Sequence, residues 1–268
     1  MALRTAADSV VLLDIEDRVA TVTLNRPDAR NALSSEVLRL LPEYLIQAND
    51  DDDVDVVILT GSDPAFCAGL DLKELGSTGG NIGASAPRPQ SASVSDHPRR
   101  GPFPSMDKPV IGAINGVAIT GGFELALNCD FLIASERAKF GDTHARVGVM
   151  PGWGLTVLLP QAIGVRRARE MSFTGNFLSA EEALQFGLVN HVVEHENLLS
   201  FTRKIARDIA GNEQDGVRQI RRTYAEIHAD APGWAIEGRD GARWQKEQFS
   251  PEKVAQRRAT IQQRGRKQ

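Results

Sequence analysis

The sequence predicts an α/β fold, and three observations carry that expectation. Short apolar runs of buried-strand type recur along the first two thirds of the chain: DVVILTG at 55–61, KPVIGAINGVAI at 108–119 and CDFLIAS at 129–135. Segments with apolar residues at helical spacing lie between or after those runs, as they do when strands and helices alternate in one body. Beyond about residue 198 the texture changes to amphipathic helix alone.

Taken in order, SVVLLDIED and RVATVTLNR (9–17 and 18–26) are rich in β-formers and predict a hairpin turning around Glu16 and Asp17. NALSSEVLRLLPEYLIQAN then predicts a helix with Ser34 or Ser35 as its N-cap. FCAGLDLKEL (66–75) reads as a strand end, a tight Ala68-Gly69 turn and a helix capped by Asp71, with Glu74 at the capping-box position. NGVAITGGFELAL repeats the device, with Gly121-Gly122 ahead of a helix beginning near Phe123. Ser179-Ala180-Glu181-Glu182 is a capping box whose helix ends at Gly187. ENLLSFTRKIARDIAG and EQDGVRQIRRTYAEIHA are amphipathic helices, and Ser250-Pro251-Glu252 opens a last one. The expected organisation is an α/β core over 1–197 and a helical region over 198–268 that packs on the body or on a neighbouring subunit. Residues 76–105 are rich in Gly, Ser and Pro and lack periodicity, as a mobile surface insertion or a lid over a site would be.

Composition narrows the function classes. Of 268 residues, 41% are hydrophobic and 25% charged, the balance of an ordinary soluble globule. A net charge of −4 gives no general attraction to nucleic acid or anionic membrane. No apolar run approaches the length of a membrane span, and MALRTAADSVVLL lacks the basic and long apolar regions of a signal peptide. Cys67 and Cys129 sit in apolar segments and read as buried free thiols, which fits a reducing cytoplasm. There is neither a strand-linked G-x-G-x-x-G nor a G-x-x-x-x-G-K-[ST], and nothing asks for a metal or redox cofactor. His191 to His195 spells H-x-x-E-H, but its β-branched texture is that of a strand, whereas the zinc motif needs a helix. HPRR (97–100) and the tail RRATIQQRGRKQ are basic, as solvated segments or as contacts for phosphates.

Glu124 stands alone among apolar and small residues in AITGGFELALNCD (118–130). An unpaired buried carboxylate costs several kcal/mol, so this one must be solvated, paired or held for chemistry. It lies in the first turn of a helix whose opening N–H groups are unpaired, and the Leu70 N–H opens the other such helix. Two such donors are what an oxyanion hole requires. Each motif taken alone is equally a glycine turn with a helix cap.

Together, LNRPDARNALS, FCAGLDLKEL, INGVAITGGFELALNCD, FGDTHARVGVMPGWG and GNFLSAEEALQFGLVNHVV follow the order and spacing of the crotonase, or enoyl-CoA hydratase/isomerase, superfamily. The resemblance runs from about residue 10 to the C-terminus. It implies a spiral of ββα units followed by helices that build trimers, often paired into hexamers, and an acyl-CoA thioester whose enolate is stabilised. Motif by motif it implies oxyanion donors at the N–H groups of Leu70 and Gly121, and an acid/base residue at Glu124. Arg30, Ala32 and Leu33 correspond to the CoA path, and Ala68, Asp71 and Leu72 border the thioester tunnel with Gly122. Coenzyme A belongs to the substrate, and no further cofactor is implied. One departure bears on the chemistry: where hydratases of this family carry a second glutamate, this chain has His144. A histidine there can hold water, move its proton, exclude water or merely line the pocket, and Asp142 is a second candidate, aimed less directly. Trp153 stands where glycine is common, which narrows or reshapes the acyl pocket. Hydration of a 2-enoyl-CoA, double-bond isomerisation and acyl-CoA binding without turnover are therefore the open functional readings.

Overall fold

The structure is a computed structural model and describes residues 8–77 and 101–267. The prediction for 76–105, and that for HPRR, falls largely outside the described residues. In chain order the elements are β1 (Val11–Glu16), β2 (Val19–Leu24), α1 (Ser35–Asp50), β3 (Val56–Gly61), β4 (Ala65–Cys67), α2 (Leu72–Ser77), β5 (Val110–Ile114), β6 (Val117–Ile119) and α3 (Gly121–Leu127). They continue as β7 (Phe131–Ser135), β8 (Lys139–Gly141), α4 (His144–Val147), α5 (Leu155–Ile163), α6 (Val165–Thr174), β9 (Phe177–Ser179), α7 (Ala180–Gln185) and β10 (His191–Val193). The helices α8 (Leu198–Ala210), α9 (Gln214–Ile227), α10 (Ala231–Glu247) and α11 (Pro251–Arg266) close the chain.

From β1 to α4 the order is strand, strand, helix, repeated. In the second, third and fourth repeats the first strand joins a six-stranded sheet, ordered β1-β2-β3-β5-β7-β10, and the second joins a four-stranded one, β4-β6-β8-β9. This is the expected spiral of ββα units. The hairpin forms as predicted, one residue later: Asp17 and Arg18 both take positive φ, 50° and 63°, as a two-residue turn matched to strand twist requires. The run 108–119 is two strands in different sheets, not one. At the crossing, Asn115 donates to Asp63 Oδ1 at 2.9 Å, and a Cβ on Gly116 would lie 2.4 Å from the Pro64 carbonyl oxygen.

Both faces of the larger sheet are covered, so its central strands are apolar on both sides. Val57 and Leu59 of β3 face a core shared with Val37, Leu41 and Leu45 of α1, while Val56 and Ile58 face Leu198 and Ala206 of α8. The helix starts follow their local signals. Ser34 accepts the Val37 N–H, and Ser179 and Glu182 close the predicted capping box. At Asp71 the cap forms, accepting from Lys73 N at 3.0 Å and Glu74 N at 3.4 Å, but the box does not close as predicted. Glu74 accepts instead from the Ser35 N–H, a tertiary partner that local spacing cannot reveal. The helix expected near Phe123 begins two residues earlier, at Gly121. No helix among the described residues is long and apolar enough to cross a membrane.

Candidate active site

β4 and β6 are neighbouring parallel strands, which brings the turns that follow them together. Contact there is close. Gly69 has φ +81°, and a Cβ on it would lie 2.8 Å from the Ile119 carbonyl oxygen and 3.5 Å from Gly121 N. Leu33 donates to the Gly69 carbonyl at 2.8 Å and accepts from Asp71 N at 3.1 Å, a parallel bridge that turns the N–H of the intervening Leu70 away from Leu33. Among the described residues no acceptor takes up that N–H or the N–H of Gly121. Between β6 and α3, Thr120 is held at φ 55° and ψ −120°, a region costly for any residue with a Cβ. Its N–H donates to the Gly141 carbonyl at 2.9 Å, and its hydroxyl lies 2.5 Å from that of Thr143.

One turn into α3, Glu124 is 2% exposed. Its Oε1 accepts from the backbone N–H groups of Gly152, at 3.2 Å, and Trp153, at 2.8 Å. Its Oε2 is 3.4 Å from His144 Nε2. β8 and α4 deliver the imidazole, whose Nδ1 is 2.7 Å from Asp142 Oδ1, and the same oxygen accepts the His144 backbone N–H at 3.1 Å. Burial by itself would lower the His144 pKa. The two carboxylates outweigh it, Glu124 chiefly through its charge and Asp142 through its hydrogen bond, and push it up to about 10. At neutral pH the group is an imidazolium clamped between two carboxylates. Burial pushes Asp142 up, but the hydrogen bond and charge of His144 hold it below the ordinary carboxylate range.

Trp153 seats its indole between two glycines. A Cβ on Gly101 would meet the ring at 2.3 Å, and one on Gly121 would meet it at 2.8 Å, so the ring borders the Gly121 donor. Leu33 reaches the same glycine, 3.5 Å from that added Cβ. Arg30 is exposed, in left-handed conformation at φ 51°, and its carbonyl accepts from Ala68 N at 3.0 Å, which ties the expected CoA path to the thioester turn. Ala32 is buried, while Ala68 and Leu72 are partly exposed beside the Leu70 turn. Asp71 commits its carboxylate to its own helix and to Arg26 Nη2 at 3.0 Å. Burial would raise its pKa, yet these donors hold it below the usual range. Gly122 is a packing glycine: a Cβ there would be 2.3 Å from the Cys67 carbonyl oxygen. Of the H-x-x-E-H segment only His191–Val193 is strand, and His195 opens a short 3₁₀ helix; His191 is edge-on to Phe201 and His195 bridges Ser135 and Asp63.

Three contributors escaped the sequence reading: Arg26, the Gly152 and Trp153 N–H groups as ligands of Glu124, and Glu237 on α10. Only the last had any local signal, a carboxylate among small and apolar residues in GWAIEG.

A buried carboxylate–imidazolium array beside two free backbone donors, on a spiral of ββα units, defines an enzyme of general acid–base chemistry on a carbonyl substrate. The chain belongs to the enoyl-CoA hydratase/isomerase family, whose pattern matches residues 14–242. It is 44% identical over 206 residues to a probable peroxisomal enoyl-CoA hydratase 1 of Arabidopsis thaliana, covering 76% of this chain and 73% of that one. It is 39% identical over 209 residues to a crotonyl-CoA hydratase of Syntrophomonas wolfei, covering 78% of each. The crystal structure of an enoyl-CoA hydratase from Mycobacterium smegmatis matches it with TM-score 0.77 at 51% identity, covering 88% of this chain and 98% of that one.

Proposed function

We propose that this protein adds water to the double bond of a 2-enoyl-CoA thioester in acyl-CoA metabolism, with Glu124 as base and His144 as acid. The observation that carries the assignment is the clamped pair itself: Glu124 keeps Oε1 on two backbone donors and turns Oε2 to His144 Nε2 at 3.4 Å. The Leu70 and Gly121 N–H groups bind the thioester oxygen and stabilise its negative charge as the enolate forms. Glu124 Oε2 takes a proton from water while the water oxygen bonds to C3. The π electrons move to the enolate, and His144 Nε2 gives its proton to C2. A proton then passes from Glu124 to His144, which restores both groups, and one water has been added. The chemistry asks for no metal and no cofactor beyond the coenzyme A of the substrate. A protein that only bound acyl-CoA would gain nothing from burying three titratable groups.

Mass spectrometry of 2-enoyl- and 3-enoyl-CoA thioesters incubated in isotopically heavy water tests the reading. The expected product carries one added heavy water. A shifted double bond without added water would assign isomerisation instead, and unchanged thioesters that still bind tightly would leave a binding protein.

The same proposal places the acyl-CoA site in the core over residues 1–197, uses 198–268 for assembly and site closure, and assigns the protein to the cytoplasm as a homotrimer or a hexamer of paired trimers. Two buried free thiols support the reducing compartment, with burial pushing the Cys67 pKa up to about 12. Ile220, Tyr224 and Ile227 support the assembly, since they lie at helical spacing on one face of α9 and are at least 60% exposed. Sedimentation of Ile220→Glu/Tyr224→Glu is expected to shift the protein to monomer, and an unchanged oligomer would remove α9 from the interface.

A further inference from the structure

We propose that Glu237, on α10, is a positioning residue that fixes the direction of the Glu124 carboxylate through the segment 152–156; the inference rests on Glu124 being the base of the reaction above. Glu237 is 5% exposed. Its Oε1 accepts from Gly154 N at 2.6 Å, and its Oε2 accepts from Thr156 N at 2.7 Å and from the Thr156 hydroxyl. Immediately before them, the N–H groups of Gly152 and Trp153 go to Glu124 Oε1. A single short segment thus divides its donors between two buried carboxylates, one from α3 and one from α10.

Trp234, one turn earlier on α10, closes the clamp. Gly154 has φ +102°, and a Cβ on it would lie 2.1 Å from the Trp234 ring. The segment therefore cannot shift towards α10, and the Glu237 hydrogen bonds keep it from shifting away. Capping α5 does not by itself account for this choice of residue. A serine or threonine satisfies helix-start donors without placing a second buried charge near Glu124. Burial, and then the charge of Glu124, raise the Glu237 pKa, so the arrangement opposes ionisation and is held by its hydrogen bonds. In return, the direction of the Glu124 carboxylate depends on where α10 sits.

The test is Glu237→Gln, which keeps the shape but turns an amide donor towards one of the segment's own donors. The expected result is a fall in kcat of about 10- to 100-fold with KM within about threefold, the split expected when a group acting only in the transition state is misaligned. The second readout needs no turnover: NMR titration of the His144 imidazole, which faces Asp142 and Glu124, with Glu237 behind the latter. Its midpoint is expected at least one pH unit below that of the wild type, because Glu124 is no longer held at 3.4 Å. Val254→Ala, which removes buried volume from α11, serves as the control for lost stability and is expected to leave the midpoint unmoved. Should Glu237→Gln not fold, Thr156→Val removes one leg of the clamp and is expected to move both readouts in the same direction by a smaller amount. Wild-type kcat with an unmoved His144 midpoint would reduce Glu237 to a helix cap and overturn the proposal. A wild type inactive on every enoyl-CoA would defeat the hydration reading alone, since the titration still measures the coupling.

Discussion

Glu124→Gln lowers kcat for hydration by about 10²- to 10⁴-fold, the range general acid–base groups supply, and leaves KM within a few-fold. The change is nearly isosteric. The glutamine carbonyl can still accept from Gly152 and Trp153, so the 152–156 segment stays in place and thioester binding through Leu70 and Gly121 is untouched. Two things are lost at once. No carboxylate remains to take the proton from water, and the amide presents a donor to His144 Nε2 where an acceptor stood at 3.4 Å. The imidazole then loses the larger of the two interactions that favour its charged form, so the acid is weakened along with the base. Steady-state hydration of a 2-enoyl-CoA measures the loss, and a rate within tenfold of wild type would mean that Glu124 is not the base.

What the sequence disclosed of this site follows from the range of each interaction. The β1–β2 hairpin, the Ser34 cap and the Ser179 capping box were legible because each is decided within a few residues. Glu124 was legible for a different reason: a lone carboxylate in an apolar run is a local anomaly that only tertiary structure can resolve. Its resolution was hidden. The donors that hold it come from Gly152 and Trp153, backbone groups that carry no side-chain signature. The break at Asn115-Gly116 was hidden too, because membership of one sheet or the other depends on what packs against Pro64, far away in the sequence. α10 lacked a strong pattern since Gly233, Gly238 and Gly241 dilute its helix propensity, yet Asp230 caps it and Glu237 reaches the site. Sequence alignment aims Asp142 less directly at the site than His144; in the fold it is the partner that holds the imidazole.

His144→Gln is expected to remove both the proton donor and a pH dependence of stability. The folded His144 pKa, about 10, lies above its ordinary value of 6.5. The folded state therefore binds the proton more tightly than the unfolded chain. Its contribution to stability is fully present below pH 6.5, declines as the unfolded imidazole alone loses its proton, and is gone once pH rises through about 10. In the wild type, the denaturant midpoint should fall across that window, and in His144→Gln the component should vanish. The variant should also be less stable at neutral pH, by about 3–5 kcal/mol, because two buried carboxylates lose the cation between them. Catalysis sharpens the distinction. An imidazolium that donates to C2 sustains hydration up to pH near 10 on the alkaline side, whereas a neutral imidazole that only held water would impose no alkaline limit of its own. A variant as stable as wild type at neutral pH, with the same slope towards alkaline pH, would show that His144 is not the buried cation of the site, and the acid would have to be sought elsewhere.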